Sequence, residues 1–466
     1  MEAKDSSGFD SFGLRHFGGC DLGDKRLTHR AVYSAQRMLE HPGGTMPEKL
    51  NANADLIGLY RLANNPKVTH QKIIAAHCQR TAALSAKVGV LLVLHDTTEI
   101  DFSGLDVEEM GPIGNGYCRG FLCHNSLAYD YENRQVLGLL AQTLHVRRKV
   151  HKNESPQAKR EHPDRESRLW KKGWAALGPV ASGVLRVNIA DRGADLLEFI
   201  EAIDLAQDHY CIRSKSNRNI VLDDGQGGVK KAKLHDEARA LPTLGIRDVQ
   251  VQANRGQKAR HVRVRVAARP VTIQVPHFAR GEHSQQNLAS WVVHVREIDP
   301  PTGVAALEWV LLTNVPVENF QQACERIDWY ACRPIIEEYH KAQKTGCGIQ
   351  QMQFTTGHAL QVVIGLQSVV ATQLLRLRDL SRSEDAATRP ASEVVDREYV
   401  EVLSAWRFRQ RRDLSIAEFC RALSKLGGHL NRTHDKPAGW LVLWRGWSQL
   451  QLLVEGAQAA RVAKCV

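Results

Sequence analysis

The stretch "KVGVLLVLHDTTEIDF" (residues 87–102) is a continuous apolar run that ends abruptly at Asp96. Residues 183–203, "GVLRVNIADRGADLLEFIEAI", have the same form: an apolar run, then Asp191, then an amphipathic helix pattern. Unbroken runs of Leu and β-branched residues are typical of strands buried on both faces. The sequence therefore predicts two internal strands that each finish on an aspartate. Such a carboxylate either caps the following helix or serves as a functional ligand at the sheet edge, and both roles stay open for Asp191.

A later segment, "DWYACRPIIEEYHKAQKTG" (residues 328–346), carries a row of charges. On a helix of 3.6 residues per turn, one stripe about 80° wide holds Tyr330, Arg333, Glu337, Lys341 and Lys344. An ordinary globular helix fills such a stripe with Leu and Ile. The neighbouring acid Glu338 lies about 100° off the stripe, so the helical register favours Glu337. The row predicts a helix face directed at a charged ligand instead of a hydrophobic core.

The 466 residues include 62 Lys and Arg and 51 Asp and Glu, which gives a net charge of +11. An excess of this size suggests a polyanionic partner, although a basic surface with no such role gives the same total. The N-terminal ten residues lack an apolar leader, and the longest aliphatic run, Val88 to Leu94, is too short to cross a bilayer. A cytoplasmic protein without a membrane partner is expected.

The ten cysteines are scattered, and no pair has the C-x2-C spacing of a zinc site. The closest cluster, Cys118, Cys123 and His124, has poor ligand spacing, so buried free thiols are predicted there. A chain of this length does not need disulfides to hold its core together.

Residues 21–87 are predicted to be helical, and Arg26 and Arg30, one turn apart, give this part a basic face. From about residue 207 to 315 the pattern becomes β-like. "HVRVRV" (261–266) alternates strictly, and "VTIQV", "WVVHV" and "LEWVLLT" are expected to be separate strands bounded by Pro- or Gly-bearing turns.

Residues 358–380 form a largely apolar pattern whose Gln and His residues favour a core helix over a membrane span. Residues 381–393, "SRSEDAATRPASE", are predicted to be a linker. The last seventy residues are expected to be helical, and their aromatic stripe is interpreted as a packing surface within the chain or across a dimer; it consists of Trp440, Trp444 and Trp447.

Three carboxylates that converge at the mouth of a sheet can bind divalent cations through oxygen, and Mg²⁺ favours this arrangement when phosphate completes its shell. Two such ions about 3.5–4 Å apart can activate a water and stabilise the leaving oxygen of a phosphodiester. Asp96, Asp191 and Glu337 are the candidate set. The bases on the stripe of Glu337 would then hold neighbouring phosphates.

The string Tyr330-x-x-Arg333-x-x-x-Glu337-x-x-x-x-x-x-Lys344 resembles the Tyr-Arg-Glu-Lys signature of bacterial cut-and-paste DDE transposases of the insertion-sequence-four family. The resemblance covers residues 12 to about 460. Further similar segments occur in the same order at similar spacing: "LGDKRLTHR" (22–30), "YRLANNPKV" (60–68), "DTT" (96–98), "DRGAD" (191–195), "RSK" (213–215), "EWVLLTNVPVE" (308–318) and "LGGHLNRTHDKPAGWLVLWRGW" (426–447).

The resemblance implies an α/β fold with an RNase H-like catalytic core at residues 71–380, interrupted by a β-rich insertion at about 207–320. It also implies a helical DNA-end-binding domain at residues 1–70 and a helical dimerisation domain at residues 381–466.

The resemblance also implies a role for individual residues. Asp96, Asp191 and Glu337 become the catalytic and metal-binding triad, with two Mg²⁺ ions per site and Mn²⁺ expected to substitute. Trp309 aligns with a tryptophan that stacks on a flipped-out base. The remaining implied DNA contacts are Tyr330, Arg333, Lys341, Lys344, Arg213, Lys215, Arg26, Arg30 and Arg61.

Two positions depart from the member of the family that the chain closely resembles. Pro334 stands where that member has a tryptophan near the flipped base. Phe121 and Leu122 stand in a segment that there contains two adjacent tryptophans. Handling of a flipped base is therefore expected to differ or to be weaker. Because proline fits best in a first turn, the helix is also expected to begin at Pro334 with Tyr330 just outside it.

The function implied is a homodimer that pairs two terminal inverted repeats in double-stranded DNA, cuts the ends through a hairpin and joins the 3′ ends to target DNA. Two alternatives remain: a DNA-binding regulator or relic that pairs ends without cutting, and a nuclease without strand transfer. Metal-dependent nicking separates the regulator from the enzyme.

Overall fold

The computed structural model describes residues 11–464 apart from residues 42, 151–152, 224–227, 252–259, 278–282, 433 and 436. The first ten residues of the predicted N-terminal domain therefore lie outside the described part. In the described residues the α-helices are α1 (Phe12–Phe17), α2 (Lys25–Glu40), α3 (Met46–Lys49), α4 (Asn53–Ala63), α5 (His70–Ser85), α6 (Pro156–Glu161), α7 (Arg168–Ala175), α8 (Leu197–Leu205), α9 (Leu234–Ala240), α10 (Phe320–Ala331), α11 (Pro334–Lys341), α12 (Gly357–Leu380), α13 (Arg397–Phe408), α14 (Ile416–Leu426) and α15 (Trp440–Lys464).

The strands of the described residues form one mixed sheet. They are β1 (Val90–Asp101), β2 (Gly111–Ile113), β3 (Cys118–Asp130), β4 (Gln135–His145), β5 (Leu185–Ala190), β6 (His209–Arg213), β7 (Asn219–Asp223), β8 (Val229–Lys233), β9 (Gly245–Val251), β10 (Arg260–Gln274), β11 (Asn287–Glu297) and β12 (Glu308–Thr313). Their order is β2-β3-β1-β5-β6-β12-β11-β10-β7-β8, with β4 paired to β3 and β9 paired to β10.

Five neighbouring strands, in the order β4-β3-β1-β5-β6, carry the two candidate aspartates. Strand β3 is antiparallel to both of its neighbours, β4 and β1, whereas β1, β5 and β6 run parallel. Helices α6 and α7 lie between β4 and β5 in the chain, and α8 connects β5 to β6. The predicted buried strands are therefore confirmed as adjacent central strands.

The end of the first strand was predicted wrongly. Strand β1 does not finish at Asp96 but continues to Asp101, because its antiparallel pairing with β3 runs on from Asp96 opposite Asn125 to Asp101 opposite Gly120. Only the parallel pairing with β5 stops beforehand, at Leu94 opposite Ile189. Asp96 thus lies where β1 loses one of its two neighbours.

Beyond β6 the sheet is antiparallel, as the alternating pattern predicts. Val262, Val264 and Val266 of β10 are buried, and Arg263 and Arg265 are exposed on the opposite face.

The expected break before "VTIQV" is wrong, because β10 continues through Pro270, which lies opposite Trp291 of β11. On the other side of β10, pairing with β9 ends at Val266 and pairing with β7 covers Thr272 and Ile273. Pro270 therefore lies in a gap between these two partners, where a missing N–H breaks no pairing.

Helix α12 is the centre of the largest hydrophobic core. It packs on α5 and β4, and also contacts the N-terminal helices α2 and α4. It is the one described helix long and apolar enough to cross a bilayer, but 78% of its most apolar window is buried inside the protein. The predicted core helix is confirmed.

The N-terminal helices share this core with the sheet, since Phe17, Leu59 and Leu92 belong to one continuous cluster. The boundary at residue 70 stays a prediction. The segment 381–393 is not a free linker, because Ala386 and Ala391 are buried in a C-terminal core with α13, α14 and α15. Apolar alanines among its polar residues are the reason it packs.

The C-terminal tryptophans pack within the chain. Trp440 and Trp444 join the large core, and the ring of Trp447 stacks on Tyr399 with centroids 5.0 Å apart. The nine described cysteines are free thiols; of the two predicted to be buried, Cys123 is buried and Cys118 is partly exposed.

Candidate functional site

Asp96 and Asp191 occupy matching positions on neighbouring strands. The last parallel pair is Leu94 with Ile189, and each aspartate lies two residues further on. Because side chains two apart on a strand point the same way and adjacent strands lie about 4.8 Å apart, both carboxylates emerge at one edge of the sheet on one face. The sequence prediction that these residues converge is consistent with this register.

Asp191 also caps the turn that follows β5. Its Oδ1 accepts a hydrogen bond from the Gly193 N–H at 2.7 Å, at the start of a single 3₁₀ turn, Arg192–Ala194. The cap is therefore present, and it leaves the second carboxylate oxygen available. The two roles left open for Asp191 are compatible with each other.

The segment 328–346 is not one straight helix. Helix α10 ends at Ala331, and α11 begins at Pro334, as the proline predicts. Tyr330 lies in the last turn of α10 and is buried, whereas Lys344 lies in a π-helical turn, Ala342–Gly346. The stripe of five residues is therefore wrong as a continuous helix face, since regular spacing holds only within α11.

Arg333, directly before α11, is the centre of the site. Its Nη1 lies 3.3 Å from Asp96 Oδ2, and its Nη2 bonds Glu337. Burial alone would lower the pKa of Arg333, but Glu337, Asp96 and Asp191 together raise it. Asp96 and Glu337 therefore pair with one guanidinium, and Asp191 lies near enough to help raise its pKa.

The Asp96 carboxylate lacks full compensation. Burial, with contributions from Asp191 and Glu337, raises its pKa to about 6 against the opposing effect of Arg333. Besides its pair with Arg333, the carboxylate accepts a hydrogen bond from the Thr97 N–H at 2.8 Å. Such an acid is the type that a cation stabilises.

The donor chemistry fits Mg²⁺, which takes carboxylate oxygens. Within the described part of the chain, however, no group of three or more His, Cys, Asp or Glu side chains has the arrangement to hold a metal. Here Arg333 supplies positive charge among the acids. Glu337 would have to exchange Arg333 for the ion.

The two adjacent glutamates point to different partners. Glu337 is 47% exposed and bonds Arg333 at the site. Glu338 bonds Arg378 of α12, which in turn bonds Asp379. The register argument that favoured Glu337 agrees with this geometry.

The two lysines after Glu337 lie in different surroundings. Lys341 is exposed on α11. Lys344 is half-buried, and burial lowers its pKa in spite of the nearby acids Glu99 and Asp101 of β1. Both can present a cation to phosphate, Lys341 from an exposed position and Lys344 from a half-buried one.

Residues of β6 and β12 line the other side of the site. The rings of Trp309 and Tyr330 meet edge to face, with centroids 5.2 Å apart. Arg213 Nη2 donates to the Glu308 carbonyl at 2.8 Å, and its pKa is lowered by burial. The exposed Lys215 follows two residues later. Arg213, Trp309 and Tyr330 thus share one wall with Arg333.

The predicted N-terminal contacts lie on two helices away from this wall. Arg26, in α2, is exposed and paired with Asp24 at 2.7 Å. Arg30 is paired with Asp55 of α4 at 2.8 Å, and Arg61 is exposed in the last turn of α4. Arg26 and Arg30 thus pair with acids of the N-terminal segment and not with the candidate carboxylates.

The two departures from the family pattern differ in their surroundings. Phe121 and Leu122 are fully buried in β3 and are not part of the wall around Trp309. Pro334 is exposed at the start of α11.

Sequence reasoning missed a layer of buried polar residues below the carboxylates. His95 Nε2 lies 2.9 Å from Asn188 Oδ1, and Asn188 Nδ2 donates to Asp208. His124 Nδ1 lies 2.9 Å from Thr97 Oγ1, next to Asp96. The signal was present, because a His or Asn inside a doubly buried apolar strand must find a polar partner.

Comparison with known proteins yields one family match. Residues 11–68, which span α1 to α4, match the family model described as "Transposase DNA-binding". This match supports DNA binding by the N-terminal helices, where Arg26, Arg30 and Arg61 lie.

A solved structure described as "Cryo-EM structure of piggyBac transposase synaptic complex with hairpin DNA" aligns with a TM-score of 0.31 and 8% identity. The alignment covers 83% of this chain and 57% of that chain, so this chain spans less than two thirds of it. An alignment at this level defines neither fold nor activity. What the comparisons show is the family match at residues 11–68, a region similar to transposase DNA-binding domains.

Proposed function

We propose that the chain is a DNA transposase of the DDE type, from the Tyr-Arg-Glu-Lys group of the insertion-sequence-four family. It binds terminal inverted repeats, cuts the ends by hydrolysis of a phosphodiester, and joins the 3′ ends to target DNA as a homodimer. The observation that carries the proposal is that Asp96 and Glu337 both pair with Arg333, while Asp191 follows the neighbouring strand at the position that matches Asp96.

The topology supports an RNase H-like core. In that fold, three antiparallel strands are followed by two strands parallel to the first, which is the arrangement of β4-β3-β1-β5-β6. Acids on the first and fourth strands of such a sheet come together at its centre. The β-rich segment then enters between β6 and α10 as an insertion.

The side chains divide the work of holding one DNA end. Asp96, Asp191 and Glu337 supply the oxygen ligands, and two Mg²⁺ ions bound there would provide Lewis-acid activation of the attacking and leaving oxygens. Lys341 and Lys344 hold the adjoining phosphates, and the Trp309–Tyr330 pair offers an aromatic wall for a displaced base. No covalent link between protein and DNA is required.

Arg333 has a separate task. In the absence of DNA its guanidinium offsets the mutual repulsion of the carboxylates. With DNA in place the same group is free to contact a phosphate, for which its planar donors are suited. The site therefore stays folded before it binds its substrate.

The test is cleavage of a labelled duplex that carries the terminal repeat flanking the coding region, with Mg²⁺ present. Wild type is expected to nick the transferred strand at the terminus. Asp96→Asn, Asp191→Asn and Glu337→Gln are each expected to lose cutting while they retain binding of the duplex. Undiminished cutting by any of the three would refute the role assigned to that residue.

One observation favours a second candidate, a regulator that pairs ends without cutting. Within the described residues the acids do not form a ready metal group. This candidate predicts specific binding of the terminal repeat with no nicking at any Mg²⁺ or Mn²⁺ concentration, so the same assay decides between them.

A further inference from the structure

Lys49 is a buried cation in the segment that matches transposase DNA-binding domains. It is the last residue of α3 and is fully buried, which is rare for a lysine. Its Nζ donates hydrogen bonds to three backbone carbonyls, those of Gly43 at 3.2 Å, Gly44 at 3.0 Å and Cys347 at 3.0 Å. Because an ammonium has three N–H donors, this one side chain joins two segments that lie 298 residues apart in the chain.

The distant carbonyl belongs to the residue that closes the π-helical turn Ala342–Gly346. The Cys347 N–H donates to the Ala342 carbonyl at 2.8 Å, and the Cys347 carbonyl accepts from Lys49. Turns of this kind are rare and occur frequently at functional sites. Lys49 therefore holds the end of the turn that carries Lys344.

The same end of the turn packs closely on the hydrophobic core. A Cβ at Gly346 would lie 2.7 Å from Leu374 Cδ1 in α12 and 3.2 Å from the ring of Trp440 in α15. The next residue, Cys347, is 1% exposed. Contacts with α12 and α15 and the bond from Lys49 therefore restrict the same few backbone atoms.

The position of this backbone decides where the Lys344 ammonium can reach. Lys344 is half-buried, and its charge is attracted by Glu99 and Asp101 of β1. The proposed function requires the same ammonium to meet a phosphate of the DNA end. Because a displacement of about 1 Å can slow catalysis about a hundredfold, the turn has to stay in place while Lys344 exchanges these acids for phosphate.

We propose that Lys49 is a positioning residue for end cleavage, which fixes the turn Ala342–Gly346 so that Lys344 meets the phosphate beside the cut. The inference rests on the proposed function. Lys49 acts through the backbone carbonyl of Cys347 and does not touch the substrate. It links the segment that matches DNA-binding domains to the segment that carries Glu337 and Lys344.

The first test measures amide hydrogen exchange in the full-length protein without DNA. Lys49→Met keeps the apolar stem of the side chain but removes its donors. Amides of residues 342–347 are expected to exchange about tenfold faster or more in this variant, and those of α12 to stay within about twofold of wild type. Equal protection of residues 342–347 in Lys49→Met and wild type would overturn the proposal.

Glu48→Ala is the control for this test. It removes the acceptor of hydrogen bonds from the Thr45 N–H and hydroxyl, at 2.6 and 3.0 Å, so it weakens the start of α3 but leaves the donors of Lys49 in place. Exchange at residues 342–347 is expected to stay within about twofold of wild type. An increase equal to that of Lys49→Met would assign the effect to α3 as a whole and refute the specific role of Lys49.

The second test measures cleavage of the terminal-repeat duplex at saturating DNA with Mg²⁺. Lys49→Met is expected to slow the single-turnover rate about tenfold to a hundredfold and to change duplex affinity by less than about twofold. In a Lys344→Gln background the same substitution is expected to slow cleavage no further, because both changes remove one interaction. Effects that multiply would show that Lys49 does not act through Lys344, and the proposal would fail.

A second variant covers a folding defect. Lys49→Gln keeps two N–H donors on a shorter side chain and is expected to slow cleavage about threefold to tenfold. If circular dichroism shows that neither variant folds, Lys49 serves the stability of the whole protein and the positioning role is refuted.

The two proposals can fail independently. If wild type binds ends but cuts none, the proposed function fails, while the exchange measurement still decides whether Lys49 fixes the turn. If wild type cuts ends and a folded Lys49→Met cuts them at the same rate, only the inference fails.

Discussion

Two aspartates on the central strands and their loops have opposite surroundings. Asp208, directly before β6, is 1% exposed and accepts hydrogen bonds from Arg186, Trp174, Asn188 and the His209 N–H, all at 2.6–3.0 Å. Burial alone would raise its pKa, but these donors lower it. Asp208 is a fully compensated acid.

Asp96 is the opposite case. Its side chain is 19% exposed, its bond to Arg333 is 3.3 Å long, and burial raises its pKa to about 6. The same fold thus gives Asp208 a full set of hydrogen-bond donors and leaves the charge of Asp96 only partly compensated. The contrast agrees with a structural role for Asp208 and with the ligand-binding role proposed for Asp96, because perturbed acids gather at functional sites.

The largest loss of stability is expected at Asp208, whose negative charge is fully compensated by its donors. Asp208→Ala leaves the Arg186 guanidinium, 7% exposed, without its carboxylate. We expect the free energy of unfolding to fall by about 3–5 kcal/mol, the usual result of removing one partner of a buried ion pair. Urea unfolding followed by tryptophan fluorescence measures it.

The matched control is Asp204→Ala, near the end of α8. Asp204 accepts one hydrogen bond from Asn314, 3.5 Å long. It is expected to cost less than about 1 kcal/mol. A similar loss in both variants would remove the distinction between the two kinds of acid.

The second-largest effect is expected at Asp96, where a substitution should increase stability. In the presence of EDTA at pH 7.5, Asp96→Asn is expected to raise the free energy of unfolding by about 1–3 kcal/mol. The reason is that a pKa raised to about 6 means the ionised carboxylate is unfavourable in the folded state. The same urea experiment measures the gain.

The pH dependence gives a check on this cause. Because the pKa of Asp96 is higher in the folded state than the value near 4 of an unfolded aspartate, the folded state binds more protons between about pH 4 and 6. Wild type should therefore lose stability relative to Asp96→Asn as pH rises through that interval. A constant difference across the interval would contradict the explanation.

The smallest effect is expected at Glu337. Its carboxylate is 47% exposed, so solvent screens its bond to the mostly buried Arg333, which also keeps Asp96 as a partner. Glu337→Gln is expected to change the free energy of unfolding by less than about 0.5–1 kcal/mol. Glu338→Gln is the control. It removes one of the two acids that pair with the buried Arg378 and leaves Asp379. Its loss in the free energy of unfolding should be at least as large as that of Glu337→Gln. A loss above 2 kcal/mol for Glu337→Gln would make this residue structural.

The sequence predicted the central strands and the helix start at Pro334, whereas its choice of Glu337 over Glu338 stays a prediction that agrees with the geometry. These features depend on local patterns: apolar runs, proline in a first turn and helical register. The position of Asp191 at the end of a strand was also predicted, since β5 ends at Ala190 and Asp191 caps the turn that follows.

Features that depend on distant partners were not predicted. The continuation of β1 past Asp96 needs β3, the tolerance of Pro270 needs the gap between β9 and β7, and the packing of residues 381–393 needs α14. The layer around Asp208 also requires tertiary structure, since nothing local shows that Arg186 will be buried opposite it.

The most direct test of the central claim, that Asp96 and Asp191 act as one unit on DNA, is the rate of Mg²⁺-dependent end cleavage by Asp96→Asn, Asp191→Asn and the double variant. The account predicts that each single substitution slows cleavage by about a thousandfold or more, and that the double variant is no slower than the slower single one. If the effects multiply instead, or if either single variant cuts as fast as wild type, the two carboxylates do not share one site.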